Sequence, residues 1–252
     1  MHNHVHRSIL KNEELQMVHI SFKMTHIAGP DPPYDHNFML GSAVYKMLRE
    51  HSEEASTILH DSPHRSAYVL SEIHRVRAKP KESWFRSGTS NSRIATFMGE
   101  ALAPRSKLTI GQTDFQVNEI RLEEPVVRPG EFVTLSPILL TDKETGRSLV
   151  HDSDDYPRRL EEAINAQIRY NAKSAGLVRL LRVETQGVHK RTIRGRTVLT
   201  QKAHLLLDGP NEELNFLVNH GIGRSPALGF GMIVLNGSKP GPGFTRRALR
   251  GI

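Results

Sequence analysis

Between positions 221 and 231 four glycines stand in eleven residues, Gly221-Ile222-Gly223-Arg224-Ser225-Pro226-Ala227-Leu228-Gly229-Phe230-Gly231. Glycine tolerates positive φ and lets a backbone come close to a ligand. Successive exposed N–H groups form a concave anion site, and the planar fork of Arg224 suits phosphate. Gly221, Gly223, Arg224, Ser225, Gly229 and Gly231 are therefore candidates for holding a sugar-phosphate backbone. The same glycines suit equally well a turn that only lets two elements pack closely. Familiar nucleotide motifs do not fit. The sixth position of a dinucleotide fingerprint is occupied here by Pro226, and the run that follows, Met232 to Leu235, is of strand type rather than helical. No lysine follows the glycines as in a nucleotide-triphosphate loop, and there is no G-x-S-x-G elbow.

A second group of candidates is basic. Lys190, Arg191, Arg194 and Arg196 lie in a stretch that reads as a hairpin, and alternation puts Lys190, Arg194 and Arg196 on one face. Such a face suits the backbone of a duplex or of a hairpin RNA. Charge on a sheet edge also serves to keep that edge from pairing with another chain. The third group is sparse. His60 and His64 have the i,i+4 spacing of helical zinc sites, but Pro63 stands between them and no H-E-x-x-H exists. A lone His60 at a helix end is commonly a cap, and Tyr45 has the place of a core-edge aromatic with its hydroxyl outward. No metal and no cofactor is expected.

Charge points the same way as these residues. Lysine and arginine exceed aspartate and glutamate by 34 to 27, a formal net charge of +7, which favours polyanionic partners, nucleic acid first. The absence of cysteine excludes disulfides, thiolate zinc sites and a cysteine nucleophile. No apolar run approaches membrane-spanning length and the His-rich first residues carry no apolar signal segment, so an intracellular, cytoplasmic protein is expected.

The elements that must hold these residues follow from periodicity. Residues 1–16 read as a flexible segment. Met17 to Ile27 alternates as a strand, and Gly29 to Pro33 is a loop. Leu40, Val44, Met47 and Leu48 stripe a helix over about 37–50 that carries Tyr45. Ser52 with Glu53 and Glu54 starts a short second helix that ends at His60. Strands over 66–76 and 83–89, a helix over 92–102 and one or two strands over 107–122 complete a βαββαβ order. A Pro-containing linker over 123–130 separates this unit, 17–124, from a second one, 131–236. There the same order recurs: a strand over 132–140, a helix over 156–173, a strand over 176–184, the hairpin with its return strand over 197–207, a helix over 211–220, the glycine loop and a last strand. Residues 237–252 read as a basic, flexible tail. The fold class is thus α+β, and the residues alone stop at a two-domain basic protein that binds RNA.

Three stretches in this order resemble the CRISPR-associated endoribonucleases that process precursor CRISPR RNA, the Cas-six family of the repeat-associated RNA-binding superfamily. They are the glycine loop with Leu228-Gly229-Phe230-Gly231-Met232, the strand Phe132-Val133-Thr134-Leu135-Ser136-Pro137-Ile138, and Tyr34-Asp35-His36 followed by Leu40, Tyr45 and Leu59-His60. The resemblance implies two tandem ferredoxin-like (RRM-like) domains facing each other across a groove. It implies one metal-independent cut within each CRISPR repeat RNA, by 2′-hydroxyl attack, leaving a 2′,3′-cyclic phosphate and a 5′-hydroxyl. Archaeal relatives place a tyrosine, a histidine and a lysine at the cut, which match Tyr45, His60 and, as a departure, Ser66; Arg65 is then the nearest cation. A non-cutting RNA-binding subunit of a CRISPR surveillance complex is the alternative that the missing lysine leaves open. Other effector subunits are conceivable partners, and the protein would be a monomer or homodimer.

Overall fold

The computed structural model describes residues 18–61, 67–76, 79–142, 144–150 and 155–238. The segments expected to be flexible, 1–16 and most of 237–252, lie outside them. No helix among the described residues is long and apolar enough to cross a membrane.

The first half is built on β1 (Val18–Ala28), whose Val18, Ile20, Phe22 and Met24 point to one face and are buried. It pairs antiparallel with β4 (Lys79–Thr89) on one side and β6 (Thr113–Glu123) on the other. β2 (Val69–Leu70) and β3 (His74–Val76) pair with β4, and β5 (Lys107–Ile110) with β6, giving the order β2-β4-β1-β6-β5. Two helices cover one face. α1 (Asn37–His51) buries Leu40, Val44 and Leu48, and α3 (Ser92–Ala101) buries Ile94, Ala95 and Met98, spacings that put each set on a single helical stripe. Between them runs the short α2 (Glu53–Asp61), whose start is capped as its sequence predicts: the Ser52 hydroxyl accepts from the Ala55 N–H at 3.2 Å.

The second half repeats the plan. β7 (Gly130–Thr134), β10 (Arg179–Ile193), β11 (Arg196–Asp208) and β12 (Ile233–Leu235) form a sheet in the order β10-β11-β7-β12. Against it pack α4 (Tyr156–Gln167), which continues as a π-helical turn over Ile168–Ala172, and α5 (Asn211–His220). β8 (Leu140–Thr141) and β9 (Ser148–Leu149) form a small separate pair. In both halves the crossover strands flank a central first strand, the ferredoxin-like arrangement. The fold class is therefore α+β with two ferredoxin-like units in tandem.

Two expectations shift. The strand over 176–184 and the hairpin over 188–197 are one long ribbon, β10 and β11, because Gly187 makes a bulge between Thr185 and Val188 rather than a break. Pro137 shortens the strand over 132–140 to its first part, since proline cannot donate to a ladder.

A third apolar cluster joins the halves. Val69 and Trp84 of the first pack with Leu135, Met232 and Val234 of the second. Backbone bonds cross the same seam, from Glu72 N–H to the Leu135 carbonyl at 3.3 Å, and the Ser136 hydroxyl donates to Leu70 at 3.0 Å.

Candidate active site and interdomain cleft

α1 and α2 form a helical pair joined at Ser52. The apolar stripe of α1 is buried, so Tyr45 falls at its border, half-buried, while His60 sits exposed in the last turn of α2. The pair closes on itself: Tyr45 Oη lies 3.2 Å from His60 Nε2, with the rings edge-on. A phenol that donates to Nε2 leaves the proton of a neutral imidazole on Nδ1 and orients the ring. Arg65 lies outside the described residues, as does His64, so the structure describes neither that cation nor the spaced histidine pair.

Tyr45 lines a cleft of about 1060 Å³. One wall is the outer side of α1 with the end of α2. The opposite wall comes from the second half: the C-terminal ends of α4 and α5, with Arg224 and Ser225 of the glycine loop. Arg194, at the tip of the β10–β11 ribbon, also lines it. Arg194, Arg224 and Tyr45, the bonding partner of His60, are thus brought to one cleft.

The glycines themselves pack closely against other backbone, the second of the two roles their sequence allows. A Cβ on Gly223 would lie 2.5 Å from the Leu139 carbonyl oxygen, and one on Gly231 would collide with that of Ile222. Both carry positive φ, +83° and +72°. Gly221 faces Val69, and Gly229 faces Asn37. Most of the loop's donors are already taken: Ile222 N–H by Gly231, Arg224 N–H by Leu139, Gly231 N–H by Pro137, and Leu228 and Gly229 N–H by turn carbonyls. A nest needs free N–H groups. The loop lines the cleft from Gly223 to Leu228, and its polar side chains there are those of Arg224 and Ser225.

The ribbon divides its cations. Lys190, Arg194 and Arg196 are all exposed. Arg191 is not a surface residue as expected; its side chain is 1% exposed. Alternation turns it to the other face of β10, towards the first half, where burial requires a counter-charge. Its Nη2 donates to Glu72 at 2.5 Å and its Nη1 to the Tyr34 carbonyl at 2.8 Å. Lys202 pairs with the other Glu72 oxygen. Three histidines border this node. His36 accepts the Ile73 N–H on Nε2 at 2.9 Å and so donates from Nδ1 to Pro33. Burial holds it below the ordinary histidine range; burial also pushes His74 down to about 4, and lowers His189 with help from Arg191 and Lys202.

Sequence reasoning missed the residues that hold the cleft's two walls together. Asn37, fully buried at the start of α1, donates to the Gly229 carbonyl at 2.6 Å. Gly41, one turn on, packs against the Ala227–Leu228 backbone. A glycine inside an otherwise regular helical stripe was the available signal. Glu131, Glu184 and His204 also converge on the second sheet with metal-ligand atom types. Arg182 already stands 3.6 Å from Glu131 and 3.2 Å from Glu184, so the two carboxylates have a cation of their own.

Residues 122–235 match the family described as CRISPR associated protein Cas6, C-terminal. Solved structures share the fold across both halves. A Cas6-related protein from Pyrococcus furiosus is 18% identical with a TM-score of 0.73, covering 88% of this chain and all of that one. A RAMP protein described as binding different RNA substrates is 19% identical with a TM-score of 0.69, over 86% of this chain and 99% of that one. A Thermus thermophilus Cas6 in a product complex is 14% identical with a TM-score of 0.57, over 87% and 99%. At such identities the likeness is one of fold. No curated protein matches the chain in sequence.

Proposed function

We propose that this chain, whose residues 122–235 match the Cas6 C-terminal family, is a Cas6-type protein that binds CRISPR repeat RNA in the interdomain cleft and cuts it without a metal. The observation that carries the reading is the 3.2 Å contact between His60 and Tyr45, a residue that lines the same cleft as Arg194 and Arg224. RNA supplies its own nucleophile, so the protein needs a proton acceptor, a proton donor and a cation. His60 takes the proton from the 2′-hydroxyl, O2′ bonds to the adjacent phosphorus, and the bond to the 5′-oxygen breaks as that oxygen gains a proton. Products are a 2′,3′-cyclic phosphate and a 5′-hydroxyl. Tyr45 orients His60 and serves the leaving side. The cation at the phosphorane is Arg65, the cation nearest in sequence to Ser66, where the family places its lysine, or one of the two cleft arginines, acting by electrostatic stabilisation. The relatives described with RNA substrates and with product support an RNA ligand, and the cytoplasm is the place such a transcript is met.

The test measures cutting and affinity together on the repeat RNA of the same genome. His60→Ala is expected to lose roughly 10²- to 10⁴-fold in rate with nearly unchanged affinity, since the imidazole acts on the transition state. A single 2′-deoxy residue upstream of the cut abolishes cleavage while binding persists. Wild-type rates in His60→Ala would remove His60 from the reaction. Tight binding by the wild type without any cleavage would make the protein a non-cutting subunit.

A further inference from the structure

Tyr34 is 66% exposed, yet its ring is held by contacts on two sides. The Arg191 guanidinium lies under one face, 4.1 Å from the ring centroid. The hydroxyl is 2.7 Å from His189 Nδ1. Arg191 is itself anchored by Glu72 and by the Tyr34 carbonyl. Fixing an aromatic side chain costs conformational entropy, and leaving its other face in water recovers none of the burial that normally repays that cost. A rigid, flat ring with one face covered by a cation and the other open is the form of a base-stacking platform, because every nucleobase has a π-face to lay on it.

The ring is carried by two segments that also reach the cleft. Phe38 and Arg194 both line that cleft. Phe38 is four residues beyond Tyr34, in the first turn of α1, and Arg194 is three residues beyond Arg191, at the ribbon tip. Lys190 adjoins His189 and offers a phosphate partner.

We propose that Tyr34 is the stacking site for an unpaired nucleobase of the bound RNA, at the edge of the cleft where the β10–β11 ribbon meets the loop before α1. This rests on the RNA-binding part of the function proposed above and is independent of cutting. Stacking tolerates any base, so the site would place a single-stranded nucleotide rather than read its identity.

The experiment uses the full chain and repeat RNA made uncleavable by one 2′-deoxy residue, with 2-aminopurine placed at successive positions. Wild type and Tyr34→Phe are expected to quench one position that Tyr34→Ala does not. Affinity of Tyr34→Ala falls about 5- to 100-fold, while the slope of log K against log salt stays as in the wild type, because every phosphate keeps its partner. Tyr34→Phe loses the bond to His189 and keeps the ring, so its retained affinity separates stacking from bracing of the ribbon. If Tyr34→Ala does not fold, Tyr34→Leu keeps carbon over Arg191 without an aromatic face and reads the same difference. Binding and quenching that ignore position 34 overturn the proposal, as does an equal loss in Tyr34→Phe. Wild-type protein that fails to bind the RNA at all overturns this proposal and the RNA-binding reading together. RNA that stacks on Tyr34 and is not cut in its all-ribose form removes only the cutting reading.

Discussion

A Cβ on Gly41 would lie 2.6 Å from the carbonyl oxygen of Ala227, so the helix that carries Tyr45 rests directly on the turn that follows Arg224. Tyr45 is one helical turn beyond Gly41 and falls on the same side of α1. The seat itself is tightly packed. Its glycines are locked against Leu139 and Ile222, and Asn37 bonds the start of the helix to Gly229. The glycine loop therefore fixes where α1, and with it Tyr45, stands against the second half.

Gly41→Ala tests that relation. Both near atoms are backbone, the Ala227 oxygen and the Leu228 Cα, so neither can swing aside as a side chain would. Overpacking of this kind costs about 1–3 kcal/mol, opposed by roughly 1 kcal/mol of improved helix propensity. Denaturant unfolding should show a net loss of up to about 2 kcal/mol from these two opposed effects, and cleavage should slow far more than RNA affinity weakens, since small displacements of a reacting group are costly. Wild-type stability together with wild-type cleavage would show that the turn simply yields.

The cations that Arg191 leaves to the surface should act through salt. Replacing Lys190, Arg194, Arg196 and Arg224 by alanine is expected to reduce the slope of log K against log salt by roughly 0.7 to 0.9 for each phosphate left without its cation. A quadruple variant with the wild-type slope would put the RNA elsewhere on the molecule.

Arg191→Ala should behave differently from its neighbours on the ribbon. It leaves Glu72 buried with Lys202 as its remaining cation, and it removes the support under Tyr34. Breaking a buried pair costs about 3–5 kcal/mol, with Lys202 drawing the value to the lower end. The loss is read in the unfolding midpoint, with the salt slope little changed. A flattened slope at full stability would mean that the guanidinium meets phosphate after all.

Cutting should persist in excess EDTA, because the proposed reaction needs only proton transfers and a fixed cation. The candidate ligand trio Glu131, Glu184 and His204 is outside the cleft lining and shares its carboxylates with Arg182. Activity lost on chelation and restored by Mg²⁺ or Zn²⁺ would refute the mechanism.

Much of this architecture is legible in the residues. Alternation in β1, the stripe Leu40–Val44–Leu48 and the Ser52 cap are local signals, and each produces the element it predicts. The packing of the halves is not legible, because it depends on pairs far apart in sequence. Arg191 and Lys190 are adjacent and alike in composition, and only the register of β10 sends one into the seam and the other to the opposite face. The glycine loop reads as a ligand cradle because its sequence states that backbone comes close to something. What it approaches, here Leu139, Ile222, Asn37 and Gly41, is information held by the tertiary fold.

The seam should also make the protein sensitive to mild acid. Burial, with Arg86 nearby, pushes His19 down to about 3 against the opposing effect of its bond to the Val218 carbonyl, 3.2 Å away across the seam. Burial pushes His74 down to about 4; Lys202 and His36 add to this, against the effects of Glu72 and a backbone bond to Leu135. In the unfolded chain both rings titrate near 6.5. Between about pH 6.5 and pH 4 the unfolded chain therefore binds protons that the folded chain refuses, so stability falls as pH falls through that window. Each ring contributes on the order of 1.4 kcal/mol per pH unit once the unfolded form is fully protonated. Carboxylates that are lowered in the fold, such as Glu82 and Asp114, act in the same direction but only from near pH 4.5 downward, which separates the two effects on the pH axis. Unfolding midpoints measured from pH 7.5 to 4.5 should drop steadily in the wild type, and less steeply in His19→Gln and His74→Gln, whose amides carry no titrating proton. A midpoint flat across that range, or equally steep in both variants, would show that neither ring governs the seam.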